Sequence, residues 1–319
     1  MVPRLTFSPQ AFASPAGSCQ LRYAGFMAKR ILLFVVTNLA IMVTISIILG
    51  ILGVAGYVGP GGQLDYGALM IFCLVWGMGG ALISLAMSRV IAKMAMGVKA
   101  VNGRTGDPTF DWLYRTVERL TQQAQLPMPE VGVYQSDEVN AFATGPSKRK
   151  SLVAVSTGLL RGMRQDEIEG VLAHEVAHIR NGDMVTMTLI QGVVNAFVMF
   201  LSRIIAGIVR NAADERYAYM LSFVVTIVLD ILLGFLGLMV VAWFSRAREF
   251  RADAGGAALA GRSHMIAALQ RLQTTQRLIE KSQPELATLK ISGRRAMALF
   301  ATHPPLEARI RALQQLQGA

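Results

Sequence analysis

His174 and His178 lie four residues apart in VLAHEVAHI, with Glu175 directly after the first of them. On a helix this spacing puts both imidazoles on one face, a turn apart, where they can converge on a single metal ion. Glu175 then stands beside an open coordination position, placed to take the proton of a metal-activated water. The flanking residues are apolar, and two histidines and a glutamate on a dry helix are costly without a task. The plainer alternative is a pair of part-buried histidines on a structural helix.

A catalytic zinc site needs a third protein ligand and a free fourth position. The chain has 4 histidines, and its 2 cysteines, Cys19 and Cys73, are too far apart in sequence for a Cys-x-x-Cys site. SRAREFRAD, residues 245–253, offers Glu249 and, four residues on, Asp253. Glu249 suits a ligand, and Asp253 could orient a ligating imidazole. Alternatively, the two are a solvated acidic helix face among Arg246, Arg248 and Arg251. The chain between favours the first reading. An apolar hairpin over 184–244 crosses a bilayer an even number of times and returns Glu249 to the side that bears His174.

The elements that must hold these residues follow from hydropathy. Hydrophobic residues make up 53% of the 319, charged residues only 16%, and mean hydropathy is +0.44, too apolar for an ordinary soluble domain. The net charge of +11 raises an anionic partner for consideration, a bilayer or a nucleic acid. Lys and Arg cluster beside apolar runs and form no basic stripe with stacking aromatics, so nucleic acid is set aside and the lipid bilayer kept.

Residues 31–56 and 68–87 are uncharged and long enough to span. Basic residues precede the first (Lys29, Arg30) and follow the second (Arg89, Lys93, Lys99, Arg104), with none in the turn at 57–67. Both ends of this pair are thereby expected on the cytoplasmic side. Residues 1–26 are an extension, either disordered or not native. Residues 184–209, broken only by Arg203, and 217–244, broken only by Asp230, make the second hairpin. Asp230 is expensive in a bilayer and is expected to pair with Arg203 or face a polar interior, unless the hairpin is only partly immersed. The expected organisation is thus an extension (1–26), a hairpin (27–92), half of a catalytic domain (93–183), a hairpin (184–244) and the other half (245–319). Within the halves, helices are expected from residue 110 to Pro127, over GLLRGM and DEIEGVLAHEVAHIR, and at 262–280 and 305–317. Strands are expected at 131–134, 139–144 and 151–156.

HEVAH, then SRAREFRAD after an apolar hairpin, with VNAFATG (139–145) and THPPLEARI (302–310) in order, resembles the HtpX family of membrane zinc endopeptidases, relatives of the CAAX prenyl-protein endopeptidases. The resemblance covers residues 27–317. It implies a mainly α integral membrane protein, with about four transmembrane helices and a cytoplasmic α+β zincin-like protease domain holding a small sheet. It implies one Zn2+ per chain on His174, His178 and Glu249, Glu175 as general base, and Asp253 supporting the site. It further implies that Asn140, Ala141 and Phe142 begin an edge strand that binds protein or peptide substrates, and that His303 stabilises the oxyanion, although a helix-capping role suits His303 as well. Arg309 is read as a structural anchor and His264 as a histidine without a role. The implied activity is cleavage of internal peptide bonds of misfolded or membrane proteins in quality control, under stress, at the cytoplasmic face of the cell inner membrane. The short chain favours this over prenyl-protein processing. A membrane scaffold or chaperone-like factor with a structural or vestigial zinc site is the alternative, and a structural site would have no use for Glu175.

Overall fold

The computed structural model describes residues 36, 39, 41, 43–52, 58–59, 63–282 and 301–315. The expected extension and half of the first expected span lie outside these residues, although 43–51 are helical. The described chain packs as two compact units, one within 86–185 and 245–319, the other within 34–85 and 186–244.

The first unit is built on a four-stranded sheet. Its strands are β1 (Lys99–Val101), β2 (Glu130–Tyr134), β3 (Ala141–Thr144) and β4 (Leu152–Ser156), in the order β1-β2-β4-β3. Only the β2–β4 pair is parallel, with Val131 opposite Val153; β1 and β3 flank it antiparallel. Alternation along the strands separates two apolar faces. Val131, Val133, Val153 and Val155 share one buried cluster with Leu113, Val117, Leu120, Ile168, Leu172, Val176 and Ile179. Tyr134, Leu152 and Ala154 pack on the other face with Val98 and Phe142.

Two helices cover the first face. Helix α2 (Pro108–Gln123) starts where Asp107 accepts a hydrogen bond from the Thr109 amide at 2.8 Å and proline occupies the first turn. After the short α3 (Thr157–Gly162), α4 (Gln165–Asn181) opens with the Glu167 carboxylate accepting from the Arg164 amide at 2.8 Å. It closes at Gly182, whose φ of 69° is left-handed and whose amide donates to the Ile179 carbonyl. Helices α7 (Arg262–Ser282) and α8 (Leu306–Gln315) complete this unit. The strand expected at 139–144 begins later, at Ala141. Asn140 lies opposite Ser156, its carbonyl still accepting from the Ser156 amide at 2.9 Å while its own amide is diverted to the side-chain Oγ at 3.1 Å.

Three described helices are long and apolar enough to cross a bilayer: α1 (Tyr66–Met96), α5 (Asp183–Ala212) and α6 (Glu215–Ala260). Two overrun their expected ends. Helix α1 continues through Arg89 and Lys93, and Lys93 Nζ meets Glu130 Oε1 at 2.5 Å. Helix α6 runs 46 residues without a break, so the second strand of the hairpin and SRAREFRAD are one helix. No helix breaker interrupts 244–254, and the helix ends before Gly261, at φ 94°.

Inside the second unit the helices approach closely where side chains are small. A Cβ on Gly77 would lie 2.6 Å from the Ala196 backbone nitrogen, so only glycine fits there. The two charges of the hairpin meet: Asp230 Oδ1 lies 3.5 Å from Arg203 Nη1 and accepts from Ser202 Oγ at 2.5 Å. Because each charge is the other's counter-ion in an apolar setting, removing one is expected to cost more than removing both. Arg203→Leu and Asp230→Leu should each lower the melting temperature in detergent. The double variant should recover part of the loss, with a coupling of about 1 kcal/mol; additive losses would mean that the pair does not hold the hairpin together.

Candidate metal centre

Helix α4 presents His174 and His178 on the face that packs against α6. Glycine makes the approach close: a Cβ on Gly255 would meet Ala177 Cβ at 2.9 Å, and one on Gly256 would meet the His174 nitrogen at 3.1 Å. Two turns earlier on α6, Glu249 faces both imidazoles. Its Oε1 is 3.4 Å from His178 Nε2, its Oε2 is 3.5 Å from His174 Nε2, and the two Nε2 atoms are 3.0 Å apart. One ligand atom from each of the three residues lies within 4.8 Å of the others, close enough to hold one ion.

The outer ring nitrogens face carboxylates. Asp253 Oδ1 lies 3.0 Å from His174 Nδ1, and Asp183 Oδ2 lies 2.6 Å from His178 Nδ1. In each ring a proton on Nδ1 satisfies the carboxylate and leaves the Nε2 lone pair directed at Glu249. Arg309, buried on α8, grips Asp253 with both prongs, Nε to Oδ2 at 2.7 Å and Nη2 to Oδ1 at 2.6 Å, while its Nη1 lies 3.4 Å from Glu249 Oε2.

Glu249 itself has no exposed surface. His303 Nδ1, 2.9 Å from its Oε2, and Arg248 Nε, 3.6 Å from its Oε1, lie within ion-pair distance. Yet among the described residues no donor meets hydrogen-bond geometry on either carboxylate oxygen. A buried carboxylate with both oxygens unbonded is rare, because each lone pair left unmet costs free energy. Two imidazole nitrogens and a carboxylate oxygen are also the donor set that suits zinc. The residues fit a divalent cation.

The charges agree. Burial opposes ionisation of Glu249, but the facing His174, His178 and His303 hold its carboxyl far below the usual range. Burial likewise opposes the charge on Asp253, and Arg309 and His174 overcome it to lower its pKa. His174 is raised despite its burial by Asp253, Glu249 and Glu175. His178 is raised to about 9, with Asp183 and Glu249 outweighing desolvation.

Other expected site residues lie nearby or apart. Glu175 is part-exposed on α4, between the two histidines. Asn140, Ala141 and Phe142 lie where β3 begins, on the sheet's last strand beside α4. Ala141 packs toward the α4 side, and the Phe142 ring turns to the opposite face, 5.7 Å from Tyr134. No hydrogen bond or ion pair links them to the His174–Glu249 group among the described residues. His264 sits away from the centre, its Nδ1 3.8 Å from Glu169. Asp183 is not among the residues that the sequence singles out, and Arg309 is expected there only as an anchor. The one sequence signal for Asp183 is an acid directly after the Asn-Gly that ends α4, at the start of an apolar run.

The sequence profile of peptidase family M48 matches residues 108–317, two thirds of the chain. Protease HtpX of Pasteurella multocida is 53% identical over 293 residues, covering 91% of this chain and 99% of its own. Protease HtpX of Shewanella oneidensis is 53% identical over 297 residues, and the Protease HtpX homolog of Bacillus pumilus 52% over 297, each covering 90% of this chain and 99% of its own. The crystal structure of S. mikatae Ste24p shares the fold at a TM-score of 0.61 and 17% identity, covering 91% of this chain. This chain spans 65% of that protein's length. The chain belongs to peptidase family M48 and, within it, to the HtpX proteases. It is a multi-pass membrane metalloprotease, and peptides are its substrates.

In metal-free protein the charged His178 adds stability, because its folded pKa lies above the unfolded value of about 6.5. That contribution is complete below the unfolded value and is lost as pH rises through about 9. The melting temperature of chelator-treated protein should therefore fall between about pH 7 and about pH 10, and His178→Gln should flatten the fall. An unchanged fall in that variant would assign it to another group.

Proposed function

We propose that His174, His178 and Glu249 hold one zinc ion and that Glu175 is the general base of an endopeptidase. The observation that carries this is the buried Glu249 carboxylate, faced by two Nε2 atoms and, among the described residues, with no hydrogen bond on either oxygen. Zinc, when bound, polarises the scissile carbonyl and lowers the pKa of water to about 7. Glu175 takes the proton of the attacking water and returns it to the leaving amine nitrogen, a role worth about 10²–10⁴ in rate. His303, the most exposed group around Glu249, is placed to donate to the developing oxyanion. Asp253, fixed by Arg309, orients His174.

An extended substrate adds along the outer edge of β3, pairing main chain to main chain from Ala141 to Phe142, with Asn140 at its entrance. The strand is the last in the sheet and lies beside α4, which supports this docking. The substrates are misfolded or membrane proteins, and the centre faces the cytoplasm from the inner membrane. The basic flanks of 31–56 and 68–87 support that orientation.

Glu175→Gln should keep stoichiometric zinc and lose at least about 10²-fold in casein cleavage; a fully active variant would remove Glu175 from the role. Glu249→Ala should lose metal and activity together, and a folded variant with one zinc per chain would reject the ligand. Phenanthroline should abolish cleavage by the wild type and zinc restore it, which a scaffold with a structural metal would not show.

A further inference from the structure

Helices α4 and α5 are joined by one residue. Gly182 takes the left-handed conformation and no atom of the described residues lies within 4 Å of where its Cβ would be, so glycine is favoured there by backbone geometry. The turn places Asp183 as the first residue of α5. An acid at a helix start is ordinarily explained by the positive end of the helix dipole, and such a group stays in water. Asp183 does not: it is 2% exposed, and its Oδ2 is 2.6 Å from His178 Nδ1. A carboxylate is buried at that cost only against a partner.

The contact repeats, on a different helix, what Asp253 does for His174, so each imidazole of the centre has its own carboxylate. The two carboxylates differ in what holds them. Asp253 is bound by both prongs of the buried Arg309. The second oxygen of Asp183 has Arg251 at 3.7 Å, and that side chain is 64% exposed. Asp183 thus keeps more of its charge for the imidazole it faces.

We infer that Asp183 is a positioning residue of the metal centre, holding the Nδ1 proton of His178 so that Nε2 is offered to the ion as a strong, fixed donor. This rests on His178 being a ligand. Carboxylates behind metal-bound histidines fix ring orientation and raise basicity, and losing one costs about 10- to 100-fold in metal affinity.

The test uses the full chain in detergent, with zinc affinity measured by competition against a chromophoric chelator. Asp183→Asn keeps the shape and removes the charge, and should weaken zinc by about 10- to 100-fold. Asp183→Ala should weaken it at least as much, and Asp183→Glu should restore part of the loss. At saturating zinc, kcat of Asp183→Asn should fall with KM unchanged. Wild-type zinc affinity in Asp183→Asn would overturn the inference, as would weakening matched in Asp183→Glu, which would point to packing alone. His178→Ala separates this from the parent reading: if it binds zinc like the wild type, His178 is no ligand, whereas if it loses zinc and Asp183→Asn does not, only the role of Asp183 fails.

Discussion

Glu249 has no exposed surface, and a carboxylate taken out of water costs several kcal/mol unless positive charge faces it. Much of the first unit's architecture answers that cost. Helix α6 can bring Glu249 to the histidines only because Gly255 and Gly256 let it lie against α4. Arg309 comes from α8 to neutralise Asp253 and stand near Glu249. Glu175, Asp183 and Asp253 add three more carboxylates around the same two imidazoles, against one buried guanidinium. An excess of negative charge in a low dielectric is what a divalent cation relieves.

The membrane unit meets the opposite demand. Its backbone is satisfied within helices, and apolar side chains such as Phe223, Phe235 and Trp243 stay on the outside because lipid is their solvent. Apolar contact alone does not associate helices in such a medium. The work falls to close approach at Gly77 and Ala196 and to the polar cluster of Ser202, Arg203 and Asp230.

Local patterns announced the parts and left the joins silent. The spacing of His174 and His178 placed them on one helix face, and long apolar runs marked α1, α5 and α6. The pairing of Arg203 with Asp230 was legible because nothing else in those runs could balance either charge. The continuity of α6 from the hairpin into Glu249 was not, since a change from apolar to charged residues resembles an element boundary although no glycine or proline breaks the helix there. By sequence alone Asp183 is no different from any acid in the first turn of a helix, and its inferred role depends on the turn at Gly182. Asn140 falls outside its strand because its amide is taken by the Ser156 side-chain Oγ, although its carbonyl still accepts from the Ser156 amide opposite it. Gly255 and Gly256 have meaning only against α4, a neighbour some eighty residues away in sequence.

The position of the hairpin between His178 and Glu249 sets a schedule for the nascent chain. A ribosome releases the two histidines first, then residues 184–244, and only then the buried carboxylate, with His303 and Arg309 last of all. The three proposed donors cannot converge before that hairpin of sixty-odd residues has been made. On the proposed ligand assignment, hydrolytic competence follows only after the hairpin has been made, and an unfinished copy carries a helix with two histidines and nothing to complete it.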